Sequence, residues 1–336
     1  MKETELQKDY LGNEAIETIY FGGGTPSLLE IEDLRSQIEK IRKIFNVSDK
    51  AEITFEANPD DITEKKLVGW KEIGINRLSI GVQSFFEEDL LWMNRAHDSH
   101  QAVLSLQLAV KYFDNITMDL IYGHPLLSNE KWNQNVENVI ALNIPHISCY
   151  ALTVEPKTPL SKMIKEKKKE DIQQEKQAEQ FLLLMEWLEN AGYEHYEISN
   201  FAKPGFRSRH NSSYWQGKKY LGLGPSAHSF NGESRQWNIS NNNIYIESLE
   251  KNEISFEKEI LTPSQKANEY IMTSLRTMEG LDINKIPEAM SYELQTASKK
   301  FIESGKLTLK GNKLILTKEG KLFADGIAAD LFIDAV

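Results

Sequence analysis

Apolar positions along the first two-thirds of the chain follow two alternating periods. Ile16 to Phe21 is β-rich and runs into Gly22, Gly23 and Gly24, so a strand ending in a tight turn is predicted. Leu28 to Phe45 then places Leu34, Ile38, Ile41, Ile44 and Phe45 at helical spacing. Ala51 to Ala57 alternates as a strand until Asn58-Pro59-Asp60-Asp61 breaks it, and Thr63 opens the next helix. Asn76 to Val82 reads as a strand, Asp98 to Phe113 as a helix, and Ile116 to Tyr122 as a strand closed by Gly123-His124-Pro125. A helix over Glu130 to Leu142, with Trp132, Val136, Val139 and Ile140 on one face, and a strand over His146 to Val154 follow.

Strand and helix in strict alternation imply parallel βαβ units and an α/β fold. The polar residues that interrupt the apolar pattern fall at or near strand ends: Gly22 to Thr25, Glu56, Gln83 and Asp119. Parallel sheets bind ligands at the carboxyl ends of their strands, so Thr25, Glu56, Gln83 and Asp119 are expected to face one cavity. The glycines let a ligand approach the backbone, although a tight strand–helix turn accounts for them equally. Neither a P-loop lysine nor the G-x-G-x-x-G spacing is present, and Pro26 removes a backbone donor that a phosphate nest would use. Glu56, Gln83, Arg95 and Asp119 each have a structural hydrogen bond as the simpler explanation. Together they supply carboxylates and an amide for sugar hydroxyls and a guanidinium for a carboxylate.

Beyond this stretch the pattern changes. Lys165 to Glu170 is a charge run, read as a solvated helix end or loop, and Glu175 to Asn190 is an amphipathic helix stopped by Gly192. Tyr193 to Phe230 has little periodicity and is rich in aromatics, glycine, histidine and arginine, which marks a binding region. From Thr262 onward, two helices precede short strands at Lys306–Leu309 and Lys313–Leu316, turning at Lys310-Gly311-Asn312. That makes a winged-helix-like module. It is not basic, so a packing or partner role is expected rather than DNA binding.

Composition narrows the function classes. With 336 residues, about two domains are expected at roughly 150 residues each. The net charge of −11 argues against binding a phosphate backbone, so no nucleic-acid partner is expected. Nothing approaches the ~18 uninterrupted apolar residues of a membrane span, and the charged start Met1-Lys2-Glu3 has no apolar signal region, so a cytoplasmic protein is expected. Cys149 is the single cysteine; it provides neither a disulfide within the chain nor the several thiolates of a zinc site or iron–sulfur cluster. The seven histidines show no zinc spacing, but His210 stands in the aromatic region, in His210-Asn211-Ser212-Ser213-Tyr214-Trp215. Taken alone it is a surface or capping histidine as readily as an axial ligand to haem.

Several segments recur together in one order: Ile19-Tyr20-Phe21-Gly22-Gly23-Gly24-Thr25-Pro26-Ser27, Glu56-Ala57-Asn58-Pro59, Gly81-Val82-Gln83-Ser84-Phe85, Asn94-Arg95, Met118-Asp119-Leu120-Ile121-Tyr122-Gly123, Tyr150-Ala151-Leu152, Tyr196-Glu197-Ile198-Ser199-Asn200-Phe201-Ala202 and the His210–Trp215 motif. As an ordered set spanning nearly the whole chain, they resemble the radical S-adenosylmethionine family of oxygen-independent coproporphyrinogen III oxidases, and within it the HemW-type haem chaperones. The resemblance implies a partial (β/α)6 barrel lacking its first strand, with a small C-terminal helical, winged-helix-like domain. It divides the chain into a barrel over 1–170, an extension with the aromatic loop over 171–258 and a C-terminal domain over 259–336. Gly23, Gly24, Thr25, Glu56, Gln83, Arg95, Asp119 and Ala151 fall on the family's S-adenosylmethionine contacts, and His210 and Tyr214 on the H-N-x-x-Y motif associated with haem. The family's CxxxCxxC motif, which precedes the glycines and holds a [4Fe–4S] cluster, is not in this sequence, so a cluster is expected only where that segment is present.

Two functions follow from the resemblance. One is a haem chaperone that binds S-adenosylmethionine and haem and delivers haem to accepting proteins. The other is a coproporphyrinogen dehydrogenase that forms protoporphyrinogen IX. The His210 motif favours the first; a cluster-less remnant with neither function is the plain alternative. Trp215 or Phe206 is expected to cover the porphyrin, and Arg207, Arg209 and Lys218 to meet its propionates. The strand Ile16 to Phe21 is expected to form a sheet edge, which invites association, a homodimer included.

Overall fold

A computed structural model describes residues 1–333. Its principal sheet contains β1 (Ile16–Phe21), β2 (Val47–Ala57), β3 (Arg77–Gln83), β4 (Ile116–Tyr122), β5 (His146–Ala151), β6 (Glu194–Glu197) and β7 (Asn200–Ala202), in the order β1-β2-β3-β4-β5-β7-β6. β2 to β5 pair in parallel, and β7 and β6 add antiparallel. The result is a curled, partial barrel, with β1 as the outer strand at one side. Every predicted strand is present. β2 begins earlier than its alternation implies, and β5 stops at Ala151, three residues before the expected end.

Two compact units divide the described chain. The first unit comprises residues 21–28 and 54–207. Register explains how it builds a core and a site at once. Glu56 pairs with Ser79, Ser79 with Thr117, and Asp119 with Ser148, so one face carries Thr54, Glu56, Arg77, Ser79, Thr117, Asp119, His146 and Ser148. The other face carries Phe55, Leu78, Ile80, Met118, Leu120, Ile147 and Cys149, all fully or nearly fully buried. Parallel strands covered on both sides are usually apolar throughout. These alternate, because one face lines a polar interior.

Helices cover the apolar face. The helix Asn129–Ala141 starts at Ser128, whose hydroxyl accepts from Lys131 N at 3.3 Å, and buries Trp132, Val136 and Val139 at helical spacing. The Trp132 indole donates to the Gln180 carbonyl at 3.0 Å, tying it to the helix Gln174–Asn190. The helix Ser99–Ala109 begins in a reciprocal cap between Asp98 and Gln101. The expected irregular region after Tyr193 instead opens with the short hairpin β6–β7, too brief to display a period.

The second unit comprises residues 1–20, 29–53 and 208–333. It contains β1 to Tyr20, the first half of β2, and the helix Ile31–Ile44, which buries Leu34 and Ile38. A three-stranded antiparallel sheet follows from β8 (His228–Phe230), β9 (Ser234–Asn238) and β10 (Phe256–Ile260). The C-terminal portion has helices Pro263–Leu275 and Glu288–Glu303 with a second small sheet of β11 (Leu281–Asp282), β12 (Leu307–Lys310) and β13 (Lys313–Leu316), in the order β11-β13-β12. The expected two helices and hairpin are therefore present, with β11 as an addition. No described helix is long and apolar enough to cross a membrane.

Candidate functional site

The polar face of β2 to β4 ends in a cleft. It is lined by Gly24, Thr25, Pro26, Ser27, Glu56, Ala57, Asn58, Ser79, Gly81, Gln83, Arg95 and Asp119 and has a volume of about 180 Å³. Thr25, Glu56, Gln83 and Asp119 thus share one cavity, as their strand-end positions imply, and Gly24 and Arg95 join them. Gly23 is adjacent: its N–H donates to Glu56 Oε2 at 3.3 Å. Ala151 is not among the lining residues. It lies on the opposite face of β5 from Ser148, because side chains alternate along a strand. Ser27, Asn58, Ser79 and Gly81 line the cleft but were not singled out from sequence. Counting two residues back along β3 from Gln83 reaches Gly81 and then Ser79, so the alternation itself was a signal for both.

Gln83 sits where β3 loses register with β4, and its φ of 71° is in the left-handed region. A non-glycine residue held there stores strain of about 1–3 kcal/mol, which is typical of binding sites. Arg95 follows the short helix Glu87–Trp92. Its Nη2 donates to the Gly81 carbonyl at 3.1 Å and to Asn58 Oδ1 at 3.3 Å, while its Nε is buried without a hydrogen-bond partner. Burial lowers the Arg95 pKa against the opposing charges of Asp60 and Asp119. Burial also pushes the Asp119 carboxyl up to about 7; nearby Glu56 adds to this, and the Ser148 hydroxyl, Arg77 and Arg95 oppose it.

This donor set suits a zwitterionic amino acid attached to a sugar. Arg95, with a spare buried N–H, matches a carboxylate, Glu56 an ammonium group, and Asp119 and Gln83 hydroxyls. The residues do not fit an iron–sulfur cluster. Among the described residues no three His, Cys, Asp or Glu side chains come together as metal ligands, and Cys149 is buried in β5.

Of the second sequence-predicted group, His210, Tyr214, Trp215, Arg209 and Lys218 lie in the second unit, and Phe206 and Arg207 in the first. His210 and Tyr214 stand on the helix Arg209–Trp215. His210 Nδ1 is 2.9 Å from Thr18 Oγ1, and Nε2 is 3.1 Å from the Tyr214 hydroxyl. The Tyr20 ring stacks on the imidazole with centroids 4.7 Å apart, and Tyr214 meets it edge-on at 5.0 Å. Tyr220 and Phe230 extend the aromatic run. Burial pushes the Tyr214 phenol up to about 12. The cations expected at propionates are engaged locally: Lys218 Nζ is 3.2 Å and Arg209 Nη2 3.9 Å from Glu17 Oε2, and Arg207 pairs with Glu194 at 3.0 Å. Trp215 lies beneath the Arg276 guanidinium, 5.3 Å from its ring centroid.

The radical SAM superfamily model matches residues 3–139, and the HemN C-terminal domain model matches residues 261–323. The heme chaperone HemW of Bacillus subtilis is 32% identical, over 94% of this chain and 85% of its own length. The heme chaperone HemW of Mycobacterium tuberculosis is 31% identical, over 98% of this chain and 84% of its own length. Among solved structures, the coproporphyrinogen III oxidase HemN of Escherichia coli, described as a radical SAM enzyme, superimposes with a TM-score of 0.82. It is 21% identical and covers 98% of this chain and 81% of that one, which establishes a shared fold. Sequence identity at this level, sustained over nearly the full chain and joined to a radical SAM barrel with its HemN-type C-terminal domain, means that this chain belongs to the HemW family of radical SAM proteins.

Proposed function

We propose that this chain is a cytoplasmic haem chaperone that binds haem through the His210 region and passes it to haem-accepting proteins. S-adenosylmethionine occupies the cleft between Gly24 and Asp119 as the second ligand. The observation that carries the reading is the partly exposed imidazole of His210 held between Tyr20 and Tyr214, with Tyr220 packed against Tyr214. An imidazole supplies an axial ligand, and flat aromatic rings supply the apolar surface that a porphyrin seeks. The names of the HemW relatives agree with it.

In the cleft, Arg95 holds the methionine carboxylate, Glu56 with the Gly23–Thr25 turn holds the ammonium group, and Gln83 and Asp119 take the ribose hydroxyls. The residues described here bind and orient the nucleoside and hold its charge.

Titration of ferric haem into the whole chain tests the reading. A saturable Soret shift is expected, weakened at least tenfold by His210→Ala with the melting temperature nearly unchanged. Absence of a saturable shift, or an unaltered shift in His210→Ala, would refute it. The bound haem should then move to an apo-haemoprotein. Coproporphyrinogen turnover without such transfer would favour the dehydrogenase function instead.

A further inference from the structure

We propose that Thr18 and Glu52 are positioning residues for the haem ligand. Thr18 fixes the imidazole tautomer so that Nε2 is presented to iron, and Glu52 anchors the helix that carries His210. The inference rests on the haem-binding reading above and concerns residues outside the histidine motif.

The geometry starts on the two strands. Thr18 and Tyr20 are two residues apart on β1 and therefore share a face. From that face Thr18 Oγ1 reaches Nδ1 at 2.9 Å while the Tyr20 ring stacks at 4.7 Å, so the strand fixes both the azimuth and the plane of the ring. The other nitrogen meets the Tyr214 hydroxyl at 3.1 Å. A hydroxyl can donate or accept, so the two contacts must be assigned together. A phenol is far more acidic than an aliphatic alcohol and is the better donor. Tyr214 therefore donates to Nε2, and Nδ1–H donates to Thr18. This tautomer places the lone pair on Nε2, the nitrogen pointing away from β1. A hydrogen bond from Nδ1–H also raises the basicity of a ligating imidazole, as outer partners do at metal sites generally.

Glu52 acts on the same histidine through the backbone. The helix Arg209–Trp215 has seven residues, too few to hold itself together in water. Its first two N–H groups donate to one carboxylate: Arg209 N to Glu52 Oε2 at 3.1 Å and His210 N to Glu52 Oε1 at 2.9 Å. Asn211 N donates to the Ser208 hydroxyl at 3.2 Å. Three of the four N-terminal donors of the helix are thus satisfied, two of them by a carboxylate on β2 that is only 5% exposed. A buried charge spent on two backbone donors fixes where the helix begins, and so where His210 stands.

The experiment compares wild type, His210→Ala, Thr18→Val, Thr18→Ser and Glu52→Gln in the whole chain. Haem affinity and the iron–histidine stretch of the ferrous complex are measured, with circular dichroism as the folding control. Thr18→Val is expected to lower affinity about tenfold and to move the stretch to lower frequency; Thr18→Ser should restore both. Glu52→Gln, which turns a donor toward one of the two N–H groups, is expected to lower affinity similarly and to broaden the stretch. If Thr18→Val folds and leaves the stretch unmoved and affinity within twofold, the role of Thr18 is overturned. If Thr18→Val does not fold, Glu52→Gln decides: unaltered affinity and line shape overturn the inference. If His210→Ala keeps the wild-type spectrum, the haem reading itself has failed. A histidine signature lost in His210→Ala but untouched in Thr18→Val and Glu52→Gln refutes only the positioning role.

Discussion

Replacing Asp119 by asparagine should make the ligand-free protein more stable at neutral pH and flatten part of its pH profile. The carboxyl is raised from its ordinary 3.8 to about 7, with burial as the main cause. The sign follows from linkage. A raised folded pKa means that the folded state holds the proton more tightly, so this stabilisation is complete below about pH 4 and is lost as pH rises through about 7. At about 1.4 kcal/mol per pH unit the ceiling is about 4 kcal/mol. The carboxyl borders an open cleft, and solvent screening brings the expected figure to about 1–2 kcal/mol. His146 works in the opposite direction. Burial and Arg77 hold its pKa well below 6.5, so its contribution is present above that value and declines as pH falls. The difference between wild type and Asp119→Asn removes this background. Thermal melts from pH 4.5 to 8.5 should show the variant gaining on wild type up to about pH 7 and holding a constant lead beyond. Parallel profiles across the range would refute the assignment of the titration to Asp119. S-adenosylmethionine binding gives an independent check: ribose hydroxyls donate to a carboxylate, so wild-type affinity should rise over the same window while that of Asp119→Asn stays flat and low.

Three further outcomes are expected. Gly81→Ala places a methyl 3.1 Å from Gln83 Nε2 inside the cleft, so S-adenosylmethionine affinity, read by equilibrium dialysis, should fall about threefold to tenfold, a loss of about 1 kcal/mol, with little change in melting temperature. Gly123→Ala meets Gln177 Cγ at 2.2 Å with φ at +81°, and urea unfolding should show a loss of about 2–4 kcal/mol from overpacking and backbone strain. Tyr214→Phe removes the hydroxyl that occupies Nε2 of His210, so haem should bind up to about fivefold more tightly, the worth of one hydrogen bond of ~1 kcal/mol; weaker binding in a Soret titration would show that the phenol assists the iron rather than shielding the imidazole.

Legibility of the molecule in its sequence followed period and length. Helices with several apolar turns, such as Asn129–Ala141 and Gln174–Asn190, and half-buried strands such as β4 announce themselves by spacing. The hairpin β6–β7 did not, since four and three residues contain no usable repeat. Nor did the helix Asn242–Glu250 or strand β10, whose residues are mostly exposed and so carry little alternation. At the site, interruptions of apolar runs led to Glu56 and Asp119, because a carboxylate on a buried strand needs a reason. Arg95 was legible mainly through its motif: it lies in a loop, where no period predicts direction. Glu52 was hidden because its role depends on a helix more than 150 residues later, for which no local pattern speaks.

The contact between Thr18 and His210 closes 192 residues of chain. During synthesis from the N-terminus, β2 to β5 leave the ribosome in the order in which they pair, and each finds its predecessor already waiting. The imidazole nest has no such schedule. Its strands precede its helix by more than 150 residues, so the nest must wait for that stretch to be made and then meet the entropy of a long closure. On the proposed reading, a nascent chain therefore carries the beginnings of its barrel before its haem ligand is in position, and capture of a porphyrin is deferred until the helix Arg209–Trp215 has been made.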